Sequence, residues 1–191
     1  FYNVASFTDA STAGLDSWEW DFGDGNTSPL QNPLNMYLAD GTYNVELIIH
    51  LGSCTDTLTQ VVTRHPQPEA NFSVADECLN VAASFVDLTT INAPGSITGW
   101  DWDFGDTGSS SSSATTHIYP TEGTYTIGFT ATSSNGCTHD TSLTVVIYPI
   151  PQPAFTSTEI CVNEPPTVFT DASTISSGAN VAWSWLFGDG N

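Results

Sequence analysis

One aromatic and glycine motif occurs three times along the chain, and this repeat limits the fold more than any other feature. The motif reads Trp-x-Trp-x-Phe-Gly-Asp, and its copies span residues 18–24, 100–106 and 183–189. The copies follow one another after steps of 82 and 83 residues, and they contain all six tryptophans of the chain. A sequence period of this length predicts tandem structural units of one kind.

Other markers repeat with the same step and set the expected module boundaries. Residues 41–43 recur at 123–125, and proline-rich segments occur at 65–68 and 148–153. Because proline fixes φ and removes a backbone donor, these segments predict short, stiff joints. We expect a window on a longer repeating polypeptide. It holds a first module without its opening strand, a complete second module and the N-terminal part of a third: residues 1–65, 66–149 and 150–191.

The residues between the joints have the period of two that is typical of half-buried strands. Residues 43–49 alternate apolar with other side chains, the copy at 125–131 does the same, and Leu143, Val145 and Ile147 alternate likewise. No segment shows a sustained helical pattern. Several short strands in each period of about 83 residues predict an all-β chain of tandem Greek-key β-sandwiches of the immunoglobulin type.

The repeated aromatic residues are the expected core of each sandwich. Alternate residues of a strand share one face, and large aromatic side chains bury much apolar area. The core motif consists of these nine residues: Trp18, Trp20, Phe22, Trp100, Trp102, Phe104, Trp183, Trp185 and Phe187.

The motif and its neighbours resemble the PKD (polycystic kidney disease-type) domain family. The resemblance rests on the Trp-x-Trp-Asp-Phe-Gly-Asp-Gly pattern, on residues 117–119 (His-Ile-Tyr) and on residues 123–125 (Gly-Thr-Tyr). It implies immunoglobulin-like sandwiches, usually extracellular, that serve as spacers, in adhesion or as accessories to secreted hydrolases. The additional cysteines resemble those in PKD repeats of large secreted surface proteins of Bacteroidota-type bacteria.

The charge of the chain excludes several classes of partner. The sequence contains 21 acidic residues and a single basic one, Arg64, for a net charge of −20. A polyanion of this kind repels nucleic acid and anionic lipid surfaces. No apolar run approaches the ~20 residues of a membrane span, so we expect no direct membrane insertion.

The turn carboxylates of the motif are the residues that could bind calcium, the one cofactor we considered. The candidates are Asp21, Asp24, Asp103 and Asp106. A calcium site needs six to eight oxygen ligands, and Leu186 replaces Asp21 and Asp103 in the third copy. We therefore interpret these aspartates as turn caps and predict no metal or other cofactor site.

His117 is the histidine with the clearest register position, because Asn35 stands in its place in the first copy. Asparagine can donate a hydrogen bond but is a poor zinc ligand. We therefore expect a structural hydrogen bond at this position. No nucleophile elbow or nucleotide-binding glycine pattern occurs, and we predict that the chain is not an enzyme.

The cysteines recur at a constant offset and are the disulfide candidates: Cys54, Cys78, Cys137 and Cys161. One hypothesis joins Cys78 to Cys137 within the second module. The other joins neighbouring modules, from the turn before the second strand of one module to the hairpin of the next, with every partner outside the 191 residues. Short glycosylation motifs occur at Asn26, Asn71 and Thr57.

These features predict a non-catalytic, extracellular repeat segment. Its expected role is an extended stalk or fibre on a cell surface, with neighbouring copies of itself or other surface and matrix components as partners. The alternative is a spacer or substrate-binding accessory module of a secreted hydrolase or protease.

Overall fold

The fold is all-β, as the sequence predicts. The computed structural model describes residues 4–159, 161 and 167–188, and every regular element within them is a β-strand. None of the described residues forms a helix long and apolar enough to cross a membrane.

The first repeat contains two sheets. Its six strands are β1 (Ala5–Ser6), β2 (Ser17–Asp21), β3 (Thr27–Ser28), β4 (Leu34–Asn35), β5 (Gly41–Leu51) and β6 (Cys54–Arg64). A four-stranded sheet has the order β3-β2-β5-β6, and β1 pairs with β4 in the second sheet. The long β5–β6 hairpin keeps an unbroken antiparallel register, from Gly41 opposite Arg64 to Leu51 opposite Cys54.

The second repeat has the same plan with one more strand in each sheet. Its strands are β7 (Phe72–Ser73), β8 (Glu77–Cys78), β9 (Ala82–Asp87), β10 (Ile97–Asp103), β11 (Ser109–Ser110), β12 (Ala114–Ile118), β13 (Gly123–Ser133) and β14 (Thr138–Tyr148). The five-stranded sheet has the order β11-β10-β13-β14-β8, and the three-stranded sheet has the order β12-β9-β7. The β8 strand runs parallel to the last two residues of β14.

The two layers of the second repeat enclose an aromatic core. Trp102 on β10 stacks on Phe129 of β13 with ring centroids 4.1 Å apart. From the facing layer, Phe72 and Phe85 approach Trp102 at 5.2 and 5.7 Å. All four rings are buried, which provides the non-directional stabilisation that a small sandwich needs.

One expected core position lies outside the core. Leu143 on β14 is 42 % exposed, whereas Val145 and Ile147 on the same face are buried. Lack of pairing with β8 does not explain this difference, because β8 pairs only with Ile147 and Tyr148 and yet Val145 is buried.

The third repeat contributes two described strands, β15 (Phe155–Ser157) and β16 (Phe169–Asp171), which pair antiparallel. Its copy of the core motif is described as far as Gly188. Trp183 and Phe187 are about half exposed, at 54 % and 52 %. In the second repeat the ring between the equivalent positions, Trp102, stacks on Phe129 of β13.

Candidate functional sites

The first tryptophan of the motif is tied to an aspartate of the opposite layer. In the second repeat the indole Nε1 of Trp100 donates to Oδ2 of Asp87 at 2.7 Å. In the first repeat Trp18 donates to Asp9 at 2.8 Å. The sequence motif alone does not predict this hydrogen bond, although the aspartates belong to a Phe-x-Asp element that recurs with the period.

These aspartates also cap a turn. The Asp9 carboxylate accepts the backbone N–H of Ser11 at 2.9 Å, and Asp87 accepts that of Thr89 at 2.8 Å. The hydrogen bonds from Ser11 contribute most to lowering the pKa of Asp9, whereas burial acts to raise it. Hydrogen bonds from Gln31 and Trp18 lower it further, and the pKa falls to about 2. The carboxylate is thereby held in its charged, hydrogen-bonded form.

The four carboxylates considered for calcium each accept a backbone N–H of their own turn. Asp21 and Asp103 bind the amides of Gly23 and Gly105 at 2.8 and 2.9 Å. The equivalent bonds of Asp24 and Asp106 to residues 26 and 108 are 3.0 and 2.9 Å long. Within the described ranges no group of three or more His, Cys, Asp or Glu side chains is arranged to hold a metal ion.

The glycine of the motif permits a close approach between strands. Gly105 has φ of +76°, and a Cβ at this position would overlap the backbone oxygen of Thr126 on β13. Gly23 has φ of +74° and meets the oxygen of Asn44 in the same way. The repeated Phe-Gly-Asp turn is therefore explained by backbone packing as well as by its left-handed conformation.

His117 forms a partly buried polar contact inside the second repeat. Its Nε2 atom lies 2.7 Å from Oδ2 of Asp106, and its ring stacks on Phe104 with centroids 4.3 Å apart. In the first repeat, Asn35 Nδ2 donates to Oδ2 of Asp24 at 2.9 Å. His117 and Asn35 thus each contact the equivalent aspartate of their own repeat, Asp106 and Asp24, without a metal ion between them.

The hydrogen bonds at this contact also set the ionisation of its carboxylates. Burial acts to raise the pKa of Asp106, but the bond from His117 and the bond from Gly108 together hold it below its usual value. The balance is the same for Asp24, where Asn35 supplies the first of the opposing hydrogen bonds. Both aspartates are therefore held as anions by their own module.

Two stacked tyrosines of each repeat pack beside the motif, and one of them donates a hydrogen bond to a motif carbonyl. Tyr119 donates its hydroxyl to the carbonyl of Phe104 at 3.1 Å and stacks on Tyr125 with centroids 4.2 Å apart. Tyr37 repeats the bond to the carbonyl of Phe22 at 3.2 Å. Burial raises the pKa of both Tyr119 and Tyr37, so these hydroxyls stay protonated donors.

The cysteines occupy two kinds of position. Cys78 lies on β8 beside Tyr148, the last residue of β14, whereas Cys137 lies in the hairpin just before β14 begins. Cys54 is at the equivalent hairpin of the first repeat, and Cys161 is exposed in the third. No disulfide joins two of these four cysteines within the described residues, and the separation along β14 rules out a bond between Cys78 and Cys137.

The glycosylation candidates are all exposed, but their surroundings differ. Asn26 donates from Nδ2 to Asp24 at 3.1 Å, a bond inside the motif turn that a glycan would displace. Asn71 immediately precedes β7, and Thr57 lies on the exposed face of β6. Asn71 and Thr57 thus remain the candidates at which a glycan would not displace a hydrogen bond of the motif turn.

One cavity among the described residues is the open core face of the third repeat. It has a volume of about 670 Å³ and is lined by Phe155, Phe169, Trp183 and Trp185, among others. Phe169 and Trp185 approach each other at 6.0 Å, as facing core residues do. These rings repeat the inner surface of the second sandwich and form no separate binding platform.

Comparison with known proteins places two stretches of the chain in one family. A family model described as PKD domain matches residues 3–65 and 63–148. Among solved structures, the PKD1 domain of Vibrio anguillarum Epp is 28 % identical, with a TM-score of 0.41 over 44 % of this chain and 96 % of that one. The PKD1 domain of the Vibrio cholerae metalloprotease PrtV is 26 % identical, with a TM-score of 0.39 over 42 % and 96 %.

A third solved structure has a lower identity and a longer match. The fibronectin(III)-like modules of Clostridium thermocellum CbhA are 14 % identical, with a TM-score of 0.40 over 73 % of this chain and 82 % of that chain.

Proposed function

The chain belongs to the PKD domain family, and from this we propose that its repeats form a non-catalytic segment of an extended stalk or fibre at a cell surface. Domains of this family are generally accessory modules and are typically found in extracellular and secreted proteins. The proposed partners are neighbouring copies of the repeat and other surface or matrix components.

One observation carries the proposal: the polar groups of the repeated motif bond inside their own module. Asp87 binds Trp100, Asp103 binds the amide of Gly105, and Asp106 binds His117. The first repeat makes equivalent bonds at each place. Because these groups are already hydrogen-bonded within the module, they stabilise the structural unit and are not free to bind or transform a ligand.

The joints and the charge support an extended arrangement. Each joint is rich in proline, which favours a stiff polyproline-type conformation. A net charge of −20 over 191 residues adds repulsion between modules, and this repulsion is screened over about 8 Å at physiological ionic strength. Both effects oppose the folding of one module back onto another.

Electron microscopy of the full-length protein tests the proposal. Strand β14 has 11 residues, so a module together with its joint should advance the fibre by roughly 4–5 nm. We expect a beaded rod whose length increases in proportion to the number of repeats. Imaging at both 20 mM and 500 mM salt separates the causes, since a rod held by its joints stays extended when charge is screened.

Compact particles at both salt concentrations would contradict the stalk. A catalytic domain in the same polypeptide, together with loss of substrate binding when the repeats are deleted, would instead favour the role of an accessory module in a secreted hydrolase.

A further inference from the structure

The two cysteines of the second repeat lie at opposite ends of one strand. Cys78 is directly opposite Tyr148 in the parallel β8–β14 ladder, and Leu79 N–H donates to the carbonyl of Tyr148 at 2.8 Å. Tyr148 is the last residue of β14 and is followed by the proline-rich joint that leaves the repeat. Cys78 is exposed at this end of the module.

Cys137 lies at the end where the chain enters the repeat. Its N–H donates to Ser133 Oγ at 3.1 Å within the β13–β14 hairpin. The carbonyl of the next residue, Thr138, accepts a hydrogen bond of 2.9 Å from Gln67, which belongs to the joint before the second repeat. The hairpin backbone at Cys137 therefore lies close to the incoming joint.

The length of β14 separates these two thiols beyond the reach of a bond. The strand has 11 residues, and at ~3.3 Å per residue it spans more than about 30 Å. A disulfide needs its two Cα atoms within roughly 7 Å. The Cys78–Cys137 pairing within one module is accordingly excluded.

Tandem repetition brings the two kinds of cysteine to the same joint. A Cys78-type residue stands beside the last residue before a joint, and a Cys137-type residue stands beside the joint residue that corresponds to Gln67. In the joint after the second repeat that position is Ile150, two residues after Tyr148. Two residues of extended chain cover about 7 Å, which is comparable to the spacing across a disulfide.

We propose that the Cys78-type cysteine of each repeat forms a disulfide with the Cys137-type cysteine of the following repeat. Cys78 then pairs with a cysteine one period after Cys137, beyond residue 191, and Cys137 pairs with one that precedes residue 1. By their position in the sequence repeat, Cys54 corresponds to Cys137 and Cys161 corresponds to Cys78. The inference rests on the proposed tandem fibre and supplies the bond that would fasten its units lengthwise.

The chemistry is oxidation of two thiols by thiol–disulfide exchange. One thiolate attacks the disulfide of an oxidoreductase of the extracytoplasmic compartment, and the second thiolate then attacks the mixed disulfide. The net transfer of two electrons and two protons to the oxidant converts its disulfide to a dithiol, and the two protein sulfurs become joined by the new S–S bond. The exposure of Cys78 gives such an oxidant access to the first sulfur.

Disulfide mapping of the native full-length protein tests the proposal. Free thiols are blocked with N-ethylmaleimide at harvest, and the protein is digested without reduction. Trypsin is unsuitable because Arg64 is the single Lys or Arg of these 191 residues, so Asp-N and chymotrypsin are used. We expect the Cys78 peptide to be linked to a hairpin peptide of the next repeat, in a chain of monomeric mass on a non-reducing gel.

Three results would overturn the proposal: a blocked Cys78, a peptide joining Cys78 to Cys137, or covalent links between separate chains. Rods without these disulfides would leave the stalk in place and remove the cross-link. If the disulfides are found but the particles are compact, the cross-link is supported and the stalk is contradicted.

Serine variants of the full-length protein give a second readout that mere structural damage would not produce. Cys78→Ser should expose one new thiol in the hairpin of the following repeat. Cys137→Ser should expose one in the strand equivalent to β8 of the preceding repeat. Labelling at any other position in either variant would count against the proposed connectivity.

Discussion

The indole nitrogen of Trp100 lies 2.7 Å from a carboxylate oxygen of Asp87, and this hydrogen bond joins the two sheets of the second repeat. Asp87 is the last residue of β9 in the three-stranded sheet, and Trp100 lies on β10 in the five-stranded sheet. Trp18 and Asp9 form the same bond at 2.8 Å in the first repeat. The repeated aspartate therefore has a defined partner within its own module.

Loss of this bond should destabilise the module. A hydrogen bond to a charged group contributes about 1.5–3 kcal/mol, so Asp87→Ala should lower the free energy of unfolding by about that amount. Trp100→Phe keeps most of the ring and removes the donor. Urea denaturation of both single variants and the double variant gives the coupling energy, and the exposed Asp101→Ala is the charge-matched control. Additive effects of the two substitutions would contradict the pairing.

The motif glycine should tolerate no side chain, for a steric reason that a matched control isolates. Gly105 and Gly136 have nearly equal φ values of +76° and +79°, but only the Cβ at Gly105 would meet backbone atoms. Gly136→Ala should cost about 1 kcal/mol, the usual penalty for a left-handed alanine, and Gly105→Ala should cost at least about 2 kcal/mol more. Equal unfolding midpoints in guanidinium for the two variants would refute the close-approach explanation.

The His117 position should accept asparagine, because Asn35 makes the equivalent bond in the first repeat. We expect His117→Asn to retain most of the stability and His117→Ala to lose about 1–3 kcal/mol, since the latter leaves Asp106 without its side-chain partner. Thermal unfolding with and without EDTA provides the measurement. A large EDTA effect in the wild type that disappears in His117→Asn would indicate a metal role instead.

Stability should fall in acid over a defined window. A carboxylate whose pKa is lowered on folding stabilises the protein above its unfolded pKa, near 3.9, and that contribution is lost as the pH falls through the folded value. For Asp9 the folded pKa is about 2, and the pKa values of Asp24 and Asp106 are shifted in the same direction. The unfolding temperature should therefore drop between about pH 4 and pH 2.

Asp9→Asn should make that acid dependence shallower, because the side chain keeps its shape and no longer titrates. Asp140→Asn, an exposed change of equal charge on β14, is the control and should leave the slope unchanged. Identical slopes for the two variants would contradict the role assigned to the Asp9 hydrogen bonds.

Calcium should have no specific effect on stability. The Oδ1 atoms of Asp21, Asp24, Asp103 and Asp106 each accept a backbone amide of their turn, and these bonds compete with metal coordination. Divalent ions will screen the charge of −20, so unfolding temperatures are compared in calcium and magnesium at equal ionic strength. A rise with calcium alone would reveal a site and overturn our interpretation.

Local sequence patterns were sufficient for the fold class but not for every core position. Alternation along residues 43–49 and 125–131 predicted strands with one buried face, and Val45, Leu47, Ile127 and Phe129 are buried. The same alternation placed Leu143 in the core, where it is not. Its exposure depends on which side chains of other elements cover each position of β14, and a strand's own pattern contains no information about that coverage.

By itself the sequence determined the period, the all-β class and the aromatic content of each unit, because these follow from spacing and alternation along the chain. Tertiary structure alone decided that Asp87 meets Trp100, that Gly105 lies against Thr126, and that Cys78 and Cys137 stand at opposite ends of β14. Each of these relationships joins residues brought together by strand pairing and layer packing. The register of those contacts is set by the whole sandwich, so it cannot be derived from any single segment.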